Sequence, residues 1–280
     1  MPQPDAFADL PVMALVSSGR HPLSGRAGRA REDARAVELG LGLVGAALQL
    51  VHAGEAEDPA LREYLGMFHG LGEHPTPGRL SLLPMMPEHD AVEPLAAWLS
   101  DSGAQLVLAG QRAESGEGSG LLPYLLADRL GWAVVTGVAA IERIDAGRAT
   151  VLQALPQGQR RRLEVTLPCL IAVDAAAPPP RQSAFGPARR GRIEVIDSVR
   201  AERDEAREGW QWQPARARPK RLKVVKSANA RDRFRAAAAK SSASGGQVLT
   251  DLTPDEAAEK LIDYLRAEKI IADTGSTPVQ

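Results

Sequence analysis

The sequence predicts an α/β fold, doubly wound around a mostly parallel sheet. Added β-hairpins and an extended C-terminal arm ending in a helix complete it. Three observations lead there. Short apolar runs alternate with helical patterns as far as about residue 130, which implies parallel strands joined by crossover helices. Closely spaced β-rich runs with turn signals follow. The core pattern is lost after Ala175 and returns as one amphipathic helix after Thr253.

Taken in order, Val12–Val16 is the first strand, and a polar Gly- and Arg-rich stretch runs from Ser17 to Arg31. Asp33–Leu48 reads as a helix, weakened by Gly40, Gly42 and Gly45. Leu48–His52 is a second strand. Pro59–Phe68 reads as a helix, with proline opening it and Leu61, Tyr64, Leu65 and Phe68 on one face. Leu80–Leu83 is a short strand, Ala91–Leu99 a helix, and Leu106–Ala109 a strand ending at Gly110. Leu121–Leu130 is helical. The β-rich runs are Ala133–Ile141, Ala149–Ala154, Arg162–Leu167 and Cys169–Asp174, with turns at Asp145-Ala146-Gly147 and Gln157-Gly158. Thr253-Pro254-Asp255-Glu256 is a capping box with proline at the first helical position. The spans are therefore an α/β domain over 1–175, an extended basic arm over 176–250 and an amphipathic helix over 251–272.

Composition excludes several classes. With 44% hydrophobic and 25% charged residues the chain is globular in type. No apolar run reaches the roughly 18–20 residues of a membrane span. Met1–Leu10 carries acids and prolines, not the basic then apolar order of a signal peptide. The single cysteine, Cys169, excludes an internal disulfide framework and points to a cytoplasmic setting. It sits in an apolar strand and reads as a small core residue. His69 and His74 are spaced wrongly for one helix face, with glycines between, so no metal is expected. Residues 181–240 hold 17 Lys and Arg against 7 Asp and Glu, leaving 17 against 28 elsewhere. Such a split suggests a basic arm meeting something acidic, whether nucleic acid, an acidic protein surface or the chain's own acidic body. Trp210 and Trp212 in that arm read either as anchors on another protein or as side chains packed on the chain itself. The aromatics are too few, and acids too frequent, for a nucleic-acid arm.

The most informative local feature is Gly110-Gln-Arg-Ala-Glu-Ser-Gly-Glu-Gly-Ser-Gly-Leu-Leu-Pro123. It follows an apolar strand and opens a helix. Glycines at such a place let backbone amides approach an anion, and the helix dipole assists. No Lys-Ser/Thr follows them, so this is not a Walker loop. Gly118-Ser119-Gly120 is not a nucleophile elbow. From spacing alone the stretch reads either as a phosphate cradle or as a plain strand-to-helix connection. No nucleophile–base set or paired carboxylate supports an enzyme. Arg112 and Glu114 read as a loop ion pair or as separately solvated charges.

Two stretches resemble the beta subunit of electron-transfer flavoproteins. The first is Leu-Val-Leu-Ala-Gly110-Gln-Arg, the glycine loop and Tyr124-Leu-Leu-Ala-Asp-Arg-Leu-Gly-Trp132. The second is Leu163-Glu-Val-Thr-Leu-Pro168-Cys-Leu-Ile-Ala172, followed by Pro180-Arg181, the basic cluster Arg189-Arg190-Gly191-Arg192 and Ile193-Glu194. Further upstream, Asp33-Ala-Arg-Ala36-Val37-Glu38 keeps the second half of the family's helix-opening motif.

The resemblance implies an adenine-nucleotide alpha-hydrolase-like fold paired with an alpha subunit that holds most of an FAD, while beta buries an AMP. Carried over by position, the nucleotide touches Val16, Ser17, Ala30, Arg31, Glu32, Asp33 and Ala53. It also touches Gly110, Arg112, Ser115, Gly116, Gly118, Ser119, Gly120 and Leu121, with Ser119, Gly120 and Leu121 at the phosphate. Ser115, Gly118 and Gly120 replace the family's polar Asp, Thr and Gln, which argues against a second, bifurcating flavin. The family's partner-recognition loop falls at Phe185, flanked by Arg181 and Arg189. The implied function is a noncatalytic carrier taking electrons from a flavoprotein dehydrogenase to a quinone-linked oxidoreductase. A stand-alone adenine-nucleotide-binding module of stress type is the alternative.

Overall fold

The computed structural model describes residues 10–21, 23–71, 76–116, 118–197, 201–211, 213, 250 and 252–267. Those up to 211 belong to one compact unit, and the C-terminal helix belongs to a second that is described by itself.

Eleven strands are present among the described residues. Nine of them form one sheet: β1 (Val12–Leu15), β4 (Gln49–Gly54), β5 (Arg79–Pro84), β6 (Leu106–Gly110), β7 (Ala133–Asp145), β8 (Arg148–Ala154), β9 (Arg160–Thr166), β10 (Cys169–Val173) and β11 (Arg192–Val195). Its order is β11-β5-β4-β1-β6-β10-β7-β8-β9. The pairings from β11 to β7 are parallel, and β8 and β9 are antiparallel. A separate small hairpin, β2 (Ser18–Arg20) with β3 (Ala27–Arg29), forms within the polar stretch after the first strand.

The central strands are buried on both faces, as parallel strands between helix layers must be. On one face Val12 and Ala14 of β1 and Leu106 and Leu108 of β6 pack with α1 (Arg31–Val44) and α2 (Pro59–Leu65). On the other, Met13, Leu15, Val107 and Ala109 pack with α3 (Val92–Asp101) and α4 (Leu122–Leu130). The alternation follows from the two-residue period of a strand. It puts α1 and α3 on opposite faces, which is the doubly wound arrangement.

The last strands do not follow chain order. β10 inserts between β6 and β7. Its five residues are all buried, whereas β9 is mostly exposed and begins Arg160-Arg161-Arg162. The most apolar run therefore takes the slot covered on both faces, and the charged run takes the edge. Between β7 and β8, Ala146 and Gly147 both have positive φ, 46° and 74°. That pair suits the twist of a two-residue hairpin turn.

The expected arm begins differently from its composition. Residues after Pro180 form α5 (Phe185–Arg190), and β11 then joins the far edge of the sheet beside β5. The pattern Arg-Ile-Glu-Val is too short and too charged to announce a strand, yet an edge tolerates it. Residues 214–249, where the basic arm was expected to continue, lie outside the described residues, as do His74 and Trp212. A four-residue helix, α6 (Glu205–Glu208), follows 201–204.

The crossing from β10 to α5 is held by Arg181. Its guanidinium makes a two-pronged pair with Glu38 at 2.8 Å on each side, and it donates to the His69 carbonyl at 2.8 Å. The Arg181 amide also reaches Glu38, at 2.9 Å. Burial pushes the Glu38 carboxyl up, but the Arg181 hydrogen bonds and charge outweigh it and hold the carboxyl below its usual range. Gly66 allows the close packing of α2 on this crossing, because a Cβ there would lie 1.9 Å from the Ser183 hydroxyl.

In α7 (Pro254–Ala267) the expected capping box is made. Glu256 accepts from the Thr253 amide at 2.9 Å, and the Glu256 amide reaches the Thr253 hydroxyl at 3.4 Å.

Glu38→Gln should lower stability by about 2 kcal/mol, the range for charge-assisted hydrogen bonds. Because the folded pKa is depressed, the pair's contribution is present above the ordinary carboxylate range and lost as pH falls through the folded value. Urea midpoints of both proteins should therefore converge in acid.

Candidate functional site

All the parallel strands end on one side of the sheet, and the chain reverses its direction of travel between β1 and β6. In open α/β sheets the crevice at such a switch point is where ligands bind. A cleft of about 650 Å³ lies there. Its walls come from Val16 and Ser17 after β1, from His52, Ala53 and Gly54 of β4, and from the glycine-rich loop between β6 and α4.

Asp33 fixes the cleft floor. It is only 6% exposed, in the first turn of α1. Its Oδ2 accepts from the Ser17 amide at 2.8 Å and from the Ser17 hydroxyl at 2.5 Å. Its Oδ1 accepts from the Gly110 amide at 2.9 Å. One carboxylate therefore ties the ends of β1 and β6 to the start of α1. Burial pushes its pKa up to about 6, against the pull of the Ser17 and Gly110 hydrogen bonds. Gly110 has no room for a side chain, since a Cβ would lie 2.3 Å from Asp33 Oδ1.

The neighbouring loop is bound in the same manner. Glu32 accepts from the amides of Gln111 at 3.0 Å and Arg112 at 3.3 Å. The Gln111 side chain donates to Asp174 at 2.8 Å, and the Ser115 hydroxyl donates to the Ser18 carbonyl at 2.7 Å. Glu114 pairs with Arg31 at 3.3 Å and accepts from the Arg31 amide at 2.9 Å. Arg112 and Glu114 do not pair with each other; Glu114 makes a contact with Arg31 that sequence proximity hides. Arg112 is exposed, and its guanidinium pairs with no described residue.

Beyond this anchored part the loop opens. Gly116, Gly118 and Gly120 have φ of 69°, 58° and 77°, a region costly for side chains with a Cβ. Among the described residues the amides of Gly118, Ser119 and Gly120 donate to no partner, and only the Leu121 amide is taken up, by Ser119 Oγ at 3.3 Å. These free amides precede α4. The lining of the same cleft includes the exposed side chains of Leu121, Leu125 and Met86.

The cleft thus gathers Val16, Ser17, Asp33, Ala53, Gly110, Arg112, Ser115, Gly116, Gly118, Ser119, Gly120 and Leu121. Ala30, Arg31 and Glu32 do not line it. They stand at the start of α1, where Arg31 and Glu32 bind the loop and the Ala30 amide donates to Tyr64. Phe185, Arg181 and Arg189 are not part of the cleft either. Phe185 is 80% exposed at the start of α5 and Arg189 is exposed at its end, while Arg181 is engaged inside the chain.

Two cleft-forming residues escaped the sequence reading. His52 looked like the last residue of an apolar strand. Its ring is 5% exposed, and Nδ1 lies 2.7 Å from the Val16 carbonyl. Tyr64 looked like an ordinary helix-face residue. Its hydroxyl donates to the Ser17 carbonyl at 2.9 Å and accepts from the Ala30 amide at 2.8 Å. A polar tip on a buried apolar face was the available signal in both. Cys169 is buried, which pushes its thiol up to about 12, so it is an inert core residue. Among the described residues no group of His, Cys, Asp or Glu is arranged to hold a metal, and no helix is long and apolar enough to cross a membrane.

Comparison with known proteins places these features. A family model described as the electron transfer flavoprotein domain matches residues 87–201. The electron transfer flavoprotein subunit beta of Chromohalobacter salexigens is 54% identical over 265 residues, which is 94% of this chain and 96% of that relative.

Asp33 gives a testable signature. Its folded pKa is raised, so its linkage favours the folded state below the ordinary carboxylate value, and this is lost as pH rises through about 6. Between roughly pH 7 and pH 4.5 the urea midpoint of wild type should gain on that of Asp33→Asn as acid is added. A constant gap would show that Asp33 does not titrate there.

Proposed function

We propose how this chain works from the premise that it belongs to the electron transfer flavoprotein beta subunits. Such a subunit is an electron carrier and not an enzyme, and it implies an alpha-subunit partner. In our reading the alpha subunit holds most of an FAD at its contact with this chain. FAD, when bound, supplies the centre that takes up and releases electrons.

This chain's part is physical. The exposed apolar rim of the cleft, with Leu121, Leu125 and Met86, gains by burial against the alpha subunit and excludes water there. Arg112 carries a cation on the same loop that pairs with no described residue. Placed near the flavin, it favours the more negative, reduced form. One feature supports an AMP in the cleft. The free amides of Gly118, Ser119 and Gly120 at the entry to α4 are suited to a phosphate. The carboxylates of Glu32 and Asp33 take up the amides of residues 110–112, so the anion-binding part of the loop is its second half.

The finer chain of partners belongs to the same reading. Phe185, exposed and flanked by Gly186 and Pro187, serves as the anchor for a flavoprotein dehydrogenase, with Arg189 beside it. Arg181 contributes by holding the recognition loop to α1 and to the segment that follows α2. Electrons then pass to a quinone-linked oxidoreductase. A cytoplasmic setting suits the single buried thiol. The observation that carries the proposal is the match of nearly the whole chain to a beta subunit, together with a switch-point cleft rimmed by exposed apolar side chains.

The test is purification with an alpha subunit, followed by release of bound cofactors. A one-to-one pair with one FAD supports the carrier reading. A colourless homodimer holding only an adenine nucleotide supports a stand-alone nucleotide-binding module instead. Within the pair, Arg112→Gln should make the flavin midpoint potential roughly 10–30 mV more negative, the size of a partly screened charge. Flavin content should not change. Redox titration of both proteins checks this.

A further inference from the structure

His52 holds a polar atom that the fold does not use. Nδ1 lies 2.7 Å from the Val16 carbonyl oxygen, which can only accept, so Nδ1 carries the proton. The second nitrogen, Nε2, is then a bare acceptor in a neutral ring. Burial lowers the pKa of His52, against the pull of the Val16 hydrogen bond and the nearby Asp58 and Glu55, which keeps the ring neutral. Among the described residues Nε2 has no hydrogen-bond partner. A buried acceptor without a partner is uncommon and calls for one.

The surroundings keep Nε2 in place and clear. The chain has glycine at 54, two residues along the same strand face. A Cβ there would lie 2.6 Å from Nε2. His52, Gly54, Val16 and Ala53 all line the cleft, at the ends of β1 and β4. The free amides of Gly118, Ser119 and Gly120 line the same cleft from the loop after β6. One cleft therefore offers a lone acceptor on one wall and a row of donors on another. A ligand with an N–H donor on a flat base and an anionic tail satisfies both.

We infer that His52 is a specificity-determining residue whose Nε2 accepts a hydrogen bond from the exocyclic amine of an adenine nucleotide in this cleft. The inference rests on the nucleotide-binding part of the proposed function and deepens it. Hypoxanthine, which carries a carbonyl oxygen where adenine has its amine, would set two acceptors against each other. The adenine can belong to AMP or to a second flavin dinucleotide. Counting flavin per alpha–beta pair separates these: one flavin with AMP, or two flavins without it.

The experiment is equilibrium dialysis of AMP and of inosine monophosphate against the nucleotide-depleted alpha–beta pair. Wild type should prefer AMP by about tenfold or more, the size of one buried hydrogen bond gained against one acceptor left unpaired. His52→Phe should bring the ratio close to one by weakening AMP. His52→Gln, which keeps an acceptor, should retain part of the preference. Gly54→Ala leaves His52 present but crowds Nε2, and should reduce the ratio as well. A folded His52→Phe protein with the wild-type ratio would overturn the inference, and so would wild type that binds neither nucleotide. If no alpha subunit pairs with the chain, the carrier reading fails separately, and the AMP-to-inosine ratio measured on the chain alone still decides the role of His52.

Discussion

The carboxylate of Asp33 is the point on which the cleft depends. It is buried, and a buried charge is tolerable only when its oxygens find donors. Here the donors are the Ser17 amide, the Ser17 hydroxyl and the Gly110 amide. Those groups belong to the chain just after β1 and to the end of β6, the two neighbouring strands between which the sheet's switch point falls. A single side chain thus sets the separation of the two segments that form the crevice floor. Tyr64 works alongside it from α2, binding the Ser17 carbonyl and the Ala30 amide. The polar residues at the base of the site are consequently structural, and they leave the free polar groups higher in the cleft.

Those free groups are divided in a way that suits a carrier subunit. The first half of the glycine-rich loop is tied down by Glu32, Asp33 and Asp174. The second half keeps its amides open and its glycines in the left-handed region. The loop is thus fixed at its root, while among the described residues the amides of its tip are left without partners. The exposed apolar side chains at the rim of the cleft, Leu121, Leu125 and Met86, form a patch of the kind that protein contacts cover.

The sheet edges show how the same fold extends beyond its doubly wound core. On one side the chain returns after β9 to insert β10 into the middle, because five wholly apolar residues need cover on both faces. On the other side β11 closes the row with alternating charged and apolar residues. The Arg181–Glu38 pair spans the segment between them and fixes α5, with the exposed Phe185, against α2. The presentation of Phe185 is therefore a consequence of how the sheet is completed.

Much of this was written in local sequence. Apolar runs of strand length, alternating with helical faces opened by Pro59 or broken by Gly131, determined the doubly wound class and most element positions. Asp145-Ala146-Gly147 determined a hairpin, Thr253 to Glu256 a capped helix, and the glycines after Gly110 a loop able to approach an anion. These depend on backbone preference and short-range periodicity, which a single stretch of chain carries. Tertiary structure decided the rest. The place of β10 and the capture of β11 depend on which neighbour is free to pair. The pairing of Glu114 with Arg31, and of Arg181 with Glu38, joins residues 83 and 143 positions apart. The solitary Nε2 of His52 exists only because Val16 claims the other nitrogen. No local pattern encodes such contacts, since each needs two distant segments brought together by the core before either side chain has a partner.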